Sequence, residues 1–201
     1  VKGNSRIMGF FRTAFYMPVV MSAVVVGMIW TNLLDSAGLV NSVLKALKII
    51  SKPIPFLTDR WGVLFSSMFV TIWLGLGYYM VIYLTALANI DESLYEAASL
   101  DGAGPVRQFI YVTMPGVRST MMLIMMLSTI AAFRVFNEIY VLTNGSAGPG
   151  GMDMTMSMLI KREGTGIQAR TGYASAISIV VLVIVGVMLI VQQILQKRGE
   201  D

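Results

Sequence analysis

Three stretches of this chain run without one charged side chain for longer than a soluble core helix needs: Thr13–Leu34, Trp61–Ile90 and Tyr173–Gln196. About 20 mostly apolar residues, rising about 1.5 Å each, cross the ~30 Å hydrocarbon core of a bilayer. Each stretch is therefore read as a membrane span. A fourth is less regular. Ser119–Phe133 is charge-free but too short alone, and Arg134 and Glu138 follow before the apolarity ends near Leu142. That span is predicted to include the charged pair. Lipid offers no partner to backbone N–H and C=O groups, so the spans must be helical. The predicted fold is an all-α, polytopic transmembrane bundle with spans at about 13–34, 61–88, 119–142 and 173–195.

Four spans put both ends of the chain on one side. The positive charges do not decide which side that is. Lys2, Arg6, Arg12, Arg107, Arg118, Lys197 and Arg198 fall on the terminal side; Lys45, Lys48, Lys52, Arg60, Lys161, Arg162 and Arg170 fall opposite. A short basic loop on the terminal side favours calling it cytoplasmic.

Composition narrows the chemistry. Hydrophobic residues make up 56% and charged residues 13%, too little polarity to coat a soluble domain. The chain has no Cys and no His, which removes thiolate chemistry and the commonest general base and metal ligand. A net charge of +4, scattered along the chain, gives no basis for nucleic-acid binding. The glycine-rich run Asn144–Gly151 lacks the Lys-Ser/Thr of a phosphate-binding loop, and no such motif occurs elsewhere. No catalytic, metal or cofactor site is assigned. The chain starts at Val1 with no signal-peptide pattern, and is read as a fragment with an N-terminal part missing.

Within the spans, Pro18 either sits harmlessly in the first turns or kinks the helix. Trp30 suits an interfacial aromatic belt. In the loop Asp35–Arg60, Leu39, Val43, Leu44, Leu47 and Ile50 recur at helical spacing beside Lys45, Lys48 and Lys52. This predicts an amphipathic interfacial helix ended by Pro53 and Pro55. It could meet an outer partner or rest on lipid. Gly75 and Gly77 allow close helix packing or line a pathway. Met121, Met122, Met125 and Met126 form a soft apolar surface. Arg134 and Glu138, four apart, share a helical face and can pair, with Asn137 beside them. Ionisable groups at membrane depth face a partner or a polar cavity. Phe133, Arg134, Asn137 and Glu138 are therefore candidates for a solute pathway; the alternative is a structural ion pair near the interface. Asp153–Arg170 is a polar segment, part helix, with Gly164, Gly166 and Gly172 flexing its return.

The stretch 91–117 is the polar interruption between spans two and three. Ser93 and Glu96 fit a capping box, Gly102 a left-handed helix stop, and Pro105 the first turn of a second helix that Pro115 ends. Two such short helices are marginal alone and need a body to pack on. A docking surface and a loop lying on the membrane both satisfy that need.

Glu96-Ala97-Ala98, then Gly102 after three intervening residues and Pro115 at the end, resembles the EAA loop of binding-protein-dependent ABC importer permeases. Val112 and Met114 stand where the pattern has Ile and Leu. Tyr95-Glu96-Ala97-Ala98 with Asp101-Gly102-Ala103 is similar to the carbohydrate-importer branch. Gly9–Trp30, Phe136–Gly151 and Gly172–Ala176 resemble that family's first span here, its F-x-x-I-Y-x-L-T-x-G-G-P region and its G-Y-A-S-A start of the last span. Ser146-Ala147 widens the glycine turn. The resemblance implies one permease domain over 1–201, with further spans before it. It implies that Tyr95, Glu96, Ala97, Ala98, Asp101, Gly102, Ala103 and Pro115 form a coupling helix seated on cytoplasmic ABC ATPase subunits. It also implies a second permease subunit, an extracytoplasmic solute-binding protein delivering a sugar, cytoplasmic termini, and ATP chemistry on the partner. The competing reading from the residues is an ATP-independent channel or ion-coupled carrier built on Arg134 and Glu138.

Overall fold

The computed structural model describes residues 6–198, with the side chain of Arg198 left out. Lys2, assigned above to the terminal side, lies outside the described residues. Every regular element among the described residues is helical. Three helical stretches are long and apolar enough to cross a membrane: Ala23–Ala46, Arg60–Ala88 and Thr171–Lys197. A fourth exists if Pro105–Gly116 and Arg118–Phe133, bent by 62°, count as one.

The N-terminal part departs from the single span expected at 13–34. Helix α1 (Arg6–Tyr16) passes into a 3₁₀ turn, Met17–Val20, with Pro18 near its start, and the chain breaks before α2 (Ala23–Leu34). Proline lacks the N–H for the helical ladder and its ring crowds the preceding turn, so Pro18 kinks rather than starts the helix. A short turn at 35–38 leads to α3 (Leu39–Ala46), the expected amphipathic element. Pro53 and Pro55 do not end it. Lys48 takes the left-handed conformation (φ 56°), while Ile49 N–H bonds Leu44 O and Lys48 N–H bonds Lys45 O, closing the helix earlier. Asn41, fully buried, fixes α3 to the returning chain. Its amide donates to Asp35 O and Ile54 O, and its carbonyl accepts from Ile54 N–H at 2.8 Å.

Helix α4 (Arg60–Ala88) runs unbroken along the molecule, capped by Asp59, which accepts from Gly62 N–H. Its 29 residues span roughly 43 Å, enough for a tilted crossing. The hairpin helices follow, and then α8 (Arg118–Phe133), α9 (Asn137–Leu142), α10 (Met156–Gly164) and α11 (Thr171–Arg198). Helix α9 packs between α2 and α4. Val26, Val70 and Leu142 bury one another there, with Trp30 edge-on to Phe69 and Trp73. Trp30 thus packs on the core rather than serving only as an interfacial anchor. Gly27 makes the approach possible: a Cβ there would sit 2.7 Å from Val141. Gly77 is where α1 and α4 touch: a Cβ there would strike the Phe15 carbonyl and the Val19 side chain. A second cluster, Ile139, Ala147 and Met158, joins α9, the glycine turn and α10.

Candidate functional site

Two places gather the polar residues singled out by the sequence. One follows the C-terminal end of α4, and the other lies along its middle.

The first is the hairpin after α4. Helix α5 (Glu92–Leu100) is capped by Asp91, whose carboxylate accepts from Ser93 N–H at 3.0 Å. That backbone bond, then the Ser93 side chain, holds the Asp91 carboxyl below its ordinary range. The expected capping box is therefore displaced. Ser93 lies inside the helix, and Glu96 stays exposed instead of reaching back. Asp91 wins because its side chain reaches the first-turn N–H groups two residues earlier. The helix ends as predicted. Gly102 adopts φ 72°, and Ala103 N–H bonds Ala98 O while Gly102 N–H bonds Ser99 O. Open space surrounds the Gly102 Cα, so its backbone conformation, and no close neighbour, calls for glycine.

Gly104 then caps α6 (Pro105–Gln108). Pro115 does not stop this second helix. The chain widens into a π turn, Phe109–Thr113, where Met114 N–H reaches back to Phe109 O, and ends in α7 (Met114–Gly116). The wider turn makes room for a proline that offers no N–H. The bend into α8 falls at Val117, where Gly116 packs on Ile90.

Inside the hairpin the contacts are polar. Tyr95 Oη and Thr113 Oγ1 share a hydrogen bond of 2.9 Å. Gln108 Nε2 donates to Ser99 Oγ at 2.8 Å and to Ala103 O at 3.1 Å. Ser99 Oγ donates to Tyr95 O at 2.8 Å. Outside, Glu96, Ala97, Asp101 and Gly102 are exposed, with Leu100 at 90% and Tyr111 at 76%. Val106, Phe109 and Ile110 are also exposed. Ala98 and Ala103 lie half-buried.

The second place is a cleft of about 550 Å³ between α4, the end of α8 and the start of α9. Arg134, Asn137 and Glu138 all line it; Phe133 does not. The predicted pairing of Arg134 with Glu138 fails. Helix α8 ends at Phe133, Arg134 and Val135 form the turn, and α9 begins at Asn137, so the two charges are not on one helical face. Among the described residues the ion pairs are those of Glu163 with Arg162 and Arg170. Irregular backbone at membrane depth is tolerated where it borders a cavity, and the break borders this one. From outside, Ser157 of α10 donates to the Phe133 carbonyl at 3.2 Å, and Lys161 lies 4.0 Å from the Tyr140 ring centre and 4.9 Å from that of Phe136.

Apart from Gly75, named above as a packing or pathway residue, the opposite wall was missed by sequence reasoning. Thr71, Gly75 and Tyr79 line it from α4, with Tyr78 beside them and Ser128 from α8. The signal was present: 71, 75 and 79 are four apart, one stripe of a helix. Gly75 and Gly77 divide the roles proposed for the pair, Gly75 facing the cleft and Gly77 packing.

Helices long and apolar enough to cross a membrane, with a helix break beside a cleft and an exposed helical hairpin between two of them, define a multi-pass membrane protein. Residues 1–200 match the family described as binding-protein-dependent transport system inner membrane component, and the chain belongs to it. It is 34% identical, over 96% of its length, to a probable ABC transporter permease, YurN, of Bacillus subtilis. It is 33% identical, over 93%, to the lactose transport system permease LacF of Rhizobium radiobacter. It spans 65% and 63% of those two relatives. The fold resembles that of a bacterial alginate ABC transporter solved with an alginate pentasaccharide-bound periplasmic protein. The TM-score is 0.82 at 24% identity, covering 98% of this chain and 68% of that one.

Proposed function

We propose that this chain is the pathway-forming permease of an ATP-driven importer for a sugar or sugar derivative. The hairpin, with Tyr95, Glu96, Ala97, Ala98, Asp101, Gly102, Ala103 and Pro115, is its coupling element to cytoplasmic ABC ATPase subunits. Both termini of this chain lie on that side. A second permease subunit completes the pathway, and an extracytoplasmic solute-binding protein delivers the sugar. The observation that carries this reading is the hairpin itself: two short helices with polar contacts inside and a large apolar and acidic surface outside. Such helices gain their stability from a body they pack against.

The sugar class is supported by the relatives, which include a lactose permease and arabinooligosaccharide permeases. It is also supported by the cleft's chemistry. Guanidinium, amide, carboxylate and hydroxyl groups suit sugar hydroxyls, and tyrosine rings suit the apolar faces of a pyranose. Arg134, Asn137 and Glu138 are assigned to the solute path on that ground, with Phe133 shaping the break above them.

Proteoliposomes test the reading. Uptake is expected only when ATP and the ATPase subunits are both supplied. Uptake by this chain alone, independent of ATP, would instead establish the channel or carrier. Asn137→Ala and Glu138→Gln are expected to reduce uptake; unchanged uptake in both would remove them from the path.

A further inference from the structure

We infer that the hydrogen-bonded seam inside the hairpin is a positioning device, in which Thr113 and Gln108 lock α5 to the second helix so that the hairpin moves as one lever. This deepens the coupling role proposed above and rests on it.

None of the hairpin helices buries a residue. The buried residues adjoining it are Ile90 and Val117, both at its base. No apolar core therefore fixes the angle between α5 and α6. The joint between them, Asp101-Gly102-Ala103-Gly104, contains two glycines with open space around each, and is free to flex. Across that joint run the Gln108 bond to Ser99 Oγ and the bond between Tyr95 Oη and Thr113 Oγ1, while Gln108 also ties the joint itself through Ala103 O. The two connections are spaced along the seam: one near the tip at Gln108, one near the base at Thr113. Two separated directional contacts fix an angle that one contact leaves loose.

The base is built differently. Gly116 lies so close to Ile90 that a Cβ would come within 2.8 Å of its side chain. Motion of a locked hairpin would therefore be passed to the Val117 bend and α8 rather than absorbed at the base. The π turn lies between the seam's two ends, and Thr113 is its last residue. The Tyr95 bond thus anchors the π turn, which precedes the Val117 bend on the route from hairpin to span. Tyr95 is half-buried and faces the seam, unlike its exposed neighbours Glu96 and Ala97. Its part is to hold the hairpin's shape, whereas theirs is to meet the partner.

The test uses the importer assembled with its ATPase subunits. Thr113→Val, Gln108→Met, Tyr95→Phe and the Tyr95→Phe/Thr113→Val pair keep side-chain volume while removing the seam's donors. The readout is solute transported per ATP hydrolysed, with co-purification of the ATPase recorded alongside. Loss of one net hydrogen bond predicts a fall of about two- to tenfold in that ratio, with the ATPase still bound. The Tyr95/Thr113 double variant should be no worse than Thr113→Val alone, because that substitution already removes the shared bond together with the 3.5 Å bond from Thr113 Oγ1 to Gln108 O. An unchanged ratio in Thr113→Val and Gln108→Met overturns the inference. So do losses that multiply in the double variant, or that only track loss of bound ATPase. Failure of the unsubstituted protein to bind any ABC ATPase would overturn the coupling role instead.

Discussion

The hairpin at one end of α4 and the turn after α9 at the other are both polar, glycine-bearing interruptions between apolar helices, yet they are built in opposite ways. The α9 turn is part of the core. Ile139, Leu142, Ala147 and Met158 are buried, and Thr143 is buried with its hydroxyl donating to Ile139 O and accepting from Ala147 N–H. Six of its residues between Asn144 and Gly151 take positive φ, with Ala147 and Gly148 among them buried. The hairpin has one positive φ, at Gly102, and no buried residue between Asp91 and Gly116. One end is finished within this chain. The other is left exposed in this chain, as the proposed coupling role requires.

This contrast can be broken by substitution. The largest effect belongs to Leu142→Ala, which removes 2%-exposed packing against Val26 and Val70. It should cost about 2–5 kcal/mol, seen as a large fall in thermal unfolding temperature in detergent. Tyr111→Ser, at the exposed hairpin surface, should move stability by no more than about 0.5 kcal/mol while weakening ATPase association. Equal losses of stability from both would erase the distinction. Next is Asn41→Leu, which strands Ile54 N–H and two carbonyls. A cost of about 1–3 kcal/mol follows, again by thermal unfolding.

Gly102→Val tests the hairpin end. Nothing would clash with the new side chain, but the left-handed backbone costs a β-branched residue roughly 1–2 kcal/mol. The protein should still insert and unfold near the normal temperature, with transport per ATP lost. Retained coupling in this variant would count heavily against the account. The smallest effect concerns pH. Burial pushes the Asp153 carboxyl above its ordinary range, with Arg60 acting against the shift and Asp59 adding to it, and one carboxylate oxygen has no partner. A raised native value means that Asp153 favours folding when protonated and loses that contribution as pH rises through it. Asp153→Asn should therefore flatten the pH dependence of unfolding on the side above the ordinary carboxylate range, with little change at lower pH.

The hairpin was the more legible of the two ends. Its stop at Gly102 and restart at Pro105 are local backbone chemistry, which sequence carries directly. The cap was misplaced because Asp91 and Ser93 both suit the role, and reach to the first-turn N–H groups decides between them. Pro115 was misread because a π turn absorbs what an α-helix cannot. The four-residue spacing of Arg134 and Glu138 implied one helix. The break between them depends on tertiary partners that spacing does not encode: Ser157 on the Phe133 carbonyl, and Lys161 over Phe136 and Tyr140. The cleft's α4 wall was legible in principle, as the stripe Thr71, Gly75 and Tyr79, but small and polar residues in a span suggest packing before they suggest a path.

The absence of cysteine makes the most direct measurement simple. Ala97→Cys places one thiol on the exposed hairpin face, and Met152→Cys one on the exposed edge of the opposite turn. A membrane-impermeant maleimide is applied to intact cells, and a thiol cross-linker to membranes holding the assembled importer. The account predicts that Met152→Cys is labelled from outside, and that Ala97→Cys is protected in cells and cross-links to the ATPase subunit. Labelling of Ala97→Cys from outside, with no ATPase cross-link, would contradict it.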